Sequence, residues 1–494
     1  MSAVAIATSA GPKAVPRNNA VKKPSVLVLS SSLLVDRMLI YTDFLDVLQE
    51  AANPTVWATS AQNPDYQTLW RSMDVSIEDF PRVDGFREFP HNYLRRLNEY
   101  VWDFRKRPPS RISMARHVRD KQQPFSIRAL KLPARILAGI KVERAVEQRL
   151  EQMLAAYQRS PESYSALQRS KPDVVITTGP FQFEQPAIIA NARRLGIRTL
   201  ALIPSWDNIS TKGRMPLSCD GYITWSEQGK AELHDYYPST RNKPVYVVGA
   251  PQFDVFFRSR FNQTRETFCA GQSLRPDRPI IVYAVGSPNF LRGEHHGALQ
   301  LAERIERGDL GDVQMIVRPH PIHDNAEMVD LFRRFAPRVV VQKTAKAGTA
   351  LTARSQDEKQ VIEWVNTFRH ADVVVNLSST VSIDAAICDR PVVNLDYDPT
   401  PGSPDHDLIK DINHRWTHFK PVAESGGLRL VNNQDELVGA VKSYLAHPEK
   451  DRSARRRMVD YVCGYADGRC GQRMAEAAVD FAMRTRRNAK SNGQ

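Results

Sequence analysis

The sequence predicts an α/β protein made of two doubly wound parallel sheets, and three observations lead there. Short β-branched runs such as DVVIT (173–177) and DVVVN (372–376) lack polar alternation, which suits strands covered on both faces of a parallel sheet. Turn-forming residues and then a helical period follow such runs, the order that builds βαβ units. At 494 residues and 42% hydrophobic content, the chain is long enough to fill two cores.

The elements read as follows. A polar tail occupies 1–24, and SVLVL (25–29) is the first buried strand, followed by the Ser30, Ser31, Ser32 turn and a helix over about 35–50. Long basic helical patterns broken at Pro108 and Pro109 fill 80–165 and read as an insertion. The alternation resumes with strands at 173–177, 199–203, 221–224 and 245–248, with helices over 185–195 and 227–236 between them. A second series has strands at 279–284, 313–317, 339–341, 373–375, 392–395 and 428–431. The expected division is therefore 25–255, 275–446 and a helical tail over 447–485 that leans back across the first domain.

The richest stretch is ADVVVNLSSTVSIDAAICDRPVVNLDYD (371–398). Ser378, Ser379 and Thr380 sit between a strand and an apolar helix, where hydroxyls cap orphan amides and those amides can face an anion. The two readings are a diphosphate site and a plain helix cap. Asp384 lies one turn further on, where it can orient the turn, contact a bound donor or sit on an ordinary helix face. Arg318 and His320 emerge at the end of the strand VQMIV, the edge where open sheets collect ligands. An arginine fork suits phosphate, and an imidazole can donate to a diphosphate oxygen. His320 with His323 and Asp324 makes a poor metal set, because the intervening proline opposes a helix, so no metal is expected. Gly286 and Ser287 follow the first strand of the second series as a diphosphate-contacting turn or a plain one.

In the first series, the strand TLALI leads to Trp206, Asp207, Asn208 and, further on, Lys212. A carboxylate there can take a proton from an acceptor hydroxyl, or cap a turn. No Walker loop, Gly-x-Gly-x-x-Gly fingerprint or Gly-x-Ser-x-Gly elbow occurs, which argues against kinase, dehydrogenase and lipase chemistry.

The formal charge of +13 calls for an acidic partner. From Arg95 to Leu150, fifteen Lys or Arg face five Asp or Glu, interleaved with Phe, Ile and Leu. That pattern fits a solvated basic face or an anionic membrane surface. Nucleic acid is not expected, since no recognition signature accompanies the charge. No apolar run reaches eighteen residues, the order of the N-terminal charges argues against a secretory signal, and the five cysteines form no framework. A cytoplasmic location, peripheral on the inner membrane face, is the expectation.

Taken in order over about 171–480, these segments resemble the GT-B nucleotide-dependent transferases, closest to the CDP-glycerol glycerophosphotransferase and capsule-polysaccharide branch. The resemblance rests on Ser205 to Asn208 with Lys212-Gly213, on CDGYITWSEQGKAEL and on Gly249-Ala250-Pro251-Gln252-Phe253-Asp254. It continues through Arg318 to Pro321, Ser378 to Thr380, and the closing Asp467-Gly468 with Arg473. It implies two Rossmann-like domains facing a cleft, with a CDP-, UDP-, GDP- or CMP-linked donor as substrate and no other cofactor. Arg318, His320 and Ser378 to Thr380 would stabilise the leaving nucleotide, and the acceptor would be a glycan or lipid-linked hydroxyl. Asp207 stands where relatives carry a histidine, so its role as base is implied by position alone. A sugar-nucleotide 2-epimerase and a non-catalytic nucleotide-binding scaffold are the alternatives.

Overall fold

The computed structural model describes residues 23–85, 88–157, 159–288, 290–320, 325–344 and 357–491. The reading of most of the N-terminal tail, and of His323 and Asp324, lies outside these. The first sheet contains β1 (Ser25–Ser30), β2 (Asn53–Ala58), β3 (Ser76–Asp79), β4 (Val174–Thr177), β5 (Arg198–Leu202), β6 (Gly221–Thr224) and β7 (Val245–Val247). Its spatial order is β3-β2-β1-β4-β5-β6-β7, with every pairing parallel. The second contains β8 (Ile280–Ala284), β9 (Gln314–Arg318), β10 (Val339–Val341), β11 (Val373–Asn376), β12 (Val392–Leu395) and β13 (Arg429–Val431). It runs β10-β9-β8-β11-β12-β13, again all parallel. Both sheets thus reverse direction once, between β1 and β4 and between β8 and β11, and each reversal opens a crevice at the strands' carboxyl ends.

Strand chemistry explains the burial. Val373, Val374 and Val375 are fully buried, as are Ile280 to Tyr283, because helices cover both faces. The expected helix over 35–50 is two helices, Leu33–Ile40 and Phe44–Ala51. Thr42 interrupts it: its hydroxyl donates back to the Met38 carbonyl (2.6 Å) and accepts from the Phe44 amide (3.2 Å), replacing the ladder with a local turn.

The segment between β3 and β4 contains the helices His91–Lys106 and Pro109–Met114 on either side of Pro108. The final helix, Cys470–Ser491, packs on Phe44–Ala51 of the first half. Asp254 accepts the Cys470 and Gly471 amides (3.2 and 2.7 Å), and Arg486 pairs with Asp173 (2.7 Å). One continuous apolar cluster therefore joins β1 to β11.

Candidate functional site

Register fixes which side chains meet. Ala284 of β8 lies level with both Arg318 of β9 and Asn376 of β11, so the loops after these three strands leave the sheet together. Gly286, His320 and Ser378 follow two residues later on each strand. At the end of β11, Asn376 Oδ1 accepts the Ser379 amide (3.1 Å), and Ser378 adopts a left-handed conformation (φ 49°) with its hydroxyl 2.5 Å from Asn413 Oδ1. Ser379 Oγ accepts the Val381 amide (3.4 Å), whereas Thr380 makes no side-chain cap and is exposed. The turn is thus braced by Asn376 and Asn413, leaving Thr380 facing the crevice.

Two adjoining cavities share this turn. One, of about 240 Å³, is lined by Arg318, His320, Ser379, Thr380 and Asp384 of the second half and by Arg37 of the first. The other, of about 270 Å³, brings Trp206, Asp207 and Lys212 against Gly286, Ser287, His320 and Ser378 to Thr380. Eleven of the twelve residues singled out in the sequence line one cavity or both. The twelfth, Asn208, is buried beneath and donates to Asp207 Oδ1 (3.1 Å).

Asp207 precedes the short helix Asn208–Thr211. Its Oδ1 also accepts from Ser205 (2.5 Å), and its Oδ2 accepts from Thr211 (3.0 Å). Burial pushes its pKa up, but the Lys212 charge, the neighbouring His418 imidazole and the two hydroxyl bonds outweigh burial and hold it below the usual carboxylate value. Trp206 meets His418 edge-on at 5.0 Å between ring centroids, so the two halves touch through aromatic rings. Burial drops His418 to about 4, against the pull of Asp207, which leaves a neutral ring beside the carboxylate.

Arg318 donates to Gln342 and stands 6.0 Å from the Phe368 ring centroid; burial lowers it to about 10. Asp384 is raised to about 7 by burial, opposed by Arg37, a Trp364 hydrogen bond and Arg318. Among the described residues, no group of three or more His, Cys, Asp or Glu side chains could hold a metal ion.

Sequence reasoning missed three residues here. Glu294 is 2% exposed, and its carboxyl accepts the Gly286 amide (2.7 Å) and the Leu377 amide (3.1 Å), tying the loops after β8 and β11 together across the reversal. Burial raises it to about 8 despite those bonds. His418 and Arg37 are the others, and all three are single polar residues, Arg37 within the helix expected over 35–50. Only the Ser30 to Ser32 turn preceding Arg37 gave a hint.

Two all-parallel sheets with facing crevices and a shared cleft define a GT-B-type fold. Solved structures with this fold include the UDP-GlcNAc 2-epimerase from Neisseria meningitidis bound to UDP-GlcNAc, at 12% identity and TM-score 0.53, covering 92% of this chain and 100% of that one. A glycosyltransferase from Rickettsia africae ESF-5 is similar at 10% identity and TM-score 0.50, covering 92% and 99%. No curated protein matches the chain in sequence. Residues 213–479, more than half of the chain, match the family described as CDP-Glycerol:Poly(glycerophosphate) glycerophosphotransferase. The chain belongs to that family, and it is a transferase that uses a nucleotide-activated donor.

Proposed function

We propose that the chain moves a sugar or polyol-phosphate unit from its nucleotide donor to a hydroxyl of a cell-envelope glycan or lipid-linked acceptor. The observation that carries this reading is the cleft itself, where Asp207 of one half faces Arg318, His320 and the Ser378–Thr380 turn of the other. In this account Asp207 takes the acceptor proton, which its ionised state at neutral pH supports. Arg318, His320 and the turn offset the charge that develops on the departing diphosphate, so no metal is required. Residues 25–255 serve as the acceptor-side domain and 275–446 as the donor domain, with 447–485 linking back.

The acceptor's chemistry draws support from the segment between β3 and β4. Phe125, Leu132 and Ile136 are 77, 71 and 66% exposed beside Arg128, Lys131 and Arg135, an apolar and cationic surface of the kind that rests on anionic lipid. No helix among the described residues is long and apolar enough to cross a membrane. A peripheral position on the cytoplasmic face of the membrane would bring a lipid-linked acceptor to the cleft.

Incubation with CDP-, UDP-, GDP- and CMP-linked donors, with and without a glycan acceptor, tests the reading. Nucleotide release that depends on acceptor is expected. Interconversion of the free sugar nucleotide without acceptor would replace transfer with epimerisation, and binding without turnover would leave a scaffold.

A further inference from the structure

The 240 Å³ cavity has one wall from the wrong half of the chain for a simple donor domain. Arg37 lies on the helix Leu33–Ile40, directly after β1, yet its guanidinium lies over the Trp364 ring at 4.1 Å. Trp364 belongs to the helix Glu358–His370 of the second half. Arg37 Nε is buried without a hydrogen-bond partner among the described residues. Across the same cavity stands Arg318, and Asp384 is the acidic residue that lines it with them. Two half-buried guanidiniums thus line one cavity with a single carboxylate in its wall, an excess of positive charge that an anionic ligand would offset.

We infer that Arg37 is a second diphosphate-binding residue, contributed by the first half of the chain and set against Arg318 across the donor cavity. The inference rests on reading that cavity as the donor site. Two planar forks suit the two phosphates of a nucleoside diphosphate, since each can bond two oxygens of one phosphate. The Trp364 ring, 4.1 Å from Arg37 Cζ, packs against the guanidinium and limits the freedom lost when the ligand arrives. Burial lowers both arginines to about 10, still charged at neutral pH, and raises Asp384 to about 7, where it competes less with an incoming anion. Because the two cations come from different halves, an occupied cavity ties the halves together.

Calorimetric titration of the full chain with inorganic pyrophosphate, CDP, UDP and GDP, and with the matching monophosphates, tests this. The wild-type chain is expected to bind pyrophosphate and at least one nucleoside diphosphate. Arg37→Gln should weaken those ligands about 10- to 100-fold, the loss of one charge-assisted pair, and should weaken the monophosphates less. Arg37→Lys keeps the charge and loses the fork, so it should bind diphosphates several-fold more weakly than wild type while melting within a few degrees of it. Equal diphosphate affinity in wild type and either variant would overturn the role of Arg37 and leave the donor-site reading standing. A wild-type chain that binds none of these ligands would overturn that reading, and the inference with it.

Discussion

Replacing Glu294 by glutamine isolates the buried carboxyl that links the loops after β8 and β11. Its pKa rises from 4.5 to about 8 because it is buried, with two backbone amides opposing that shift only in part. The folded state therefore holds a proton that the unfolded state releases near 4.5. Stability from this group is complete below 4.5 and is lost as pH climbs toward 8. Between pH 6 and 8 the loss comes to about 2 kcal/mol. For a unit the size of the second half, that corresponds to a fall of about 5–9 °C in melting temperature.

Glutamine carries no ionisable proton, so the variant should lack this part of the pH dependence, whatever its absolute stability. Asp36, Glu232 and Asp384 are also raised, to about 6, 7 and 7, and contribute the same slope to both proteins. Differential scanning calorimetry of wild type and Glu294→Gln from pH 5.5 to 8.5 reads the difference directly. Melting temperatures that fall in parallel would refute the claim that Glu294 is held neutral in the fold.

Three further outcomes follow from the same structure. Asp207→Asn should lower kcat by about 10²- to 10⁴-fold, and the acid limb of the wild-type rate profile should lie below the ordinary carboxylate range, because the carboxylate is held ionised; an unchanged kcat would remove Asp207 as base. Replacing Phe125, Leu132 and Ile136 together by glutamate should abolish salt-sensitive binding to anionic vesicles measured by flotation, and equal wild-type binding to neutral vesicles would count against a charge-guided surface. Gly249→Ala should cost about 2–5 kcal/mol, read as a lowered melting temperature, since φ is +91° there and the new methyl would press on Cys470 Sγ and lie 3.1 Å from Tyr465 Cβ.

Much of the fold was legible in the sequence because buried parallel strands are apolar throughout. The helix Glu227–Tyr236 and the strands Val339–Val341 and Val392–Leu395 occupy the spans expected of them. Two strands escaped notice for opposite reasons. β2 begins Asn53-Pro54, residues that argue against a strand, yet it lies between β1 and β3 because Val56, Trp57 and Ala58 are buried. β3, reading SIED, is a short edge strand with no apolar run to find. The cleft residues that were found sit just beyond strand ends, where sequence order and sheet topology coincide. Arg37 was invisible because its partners, Trp364 and Asp384, lie more than 300 positions away. Glu294 joins two loops 91 residues apart, and only the reversal between β8 and β11 brings them together.

A crystal structure with the nucleoside diphosphate of whichever donor turns over tests the central claim most directly. The account predicts diphosphate density between Arg318 and the Ser378–Thr380 turn, within reach of Arg37 and His320, with Asp207 across the cleft. Density at the reversal of the first sheet instead, against Ser31 and Gln182, would contradict it.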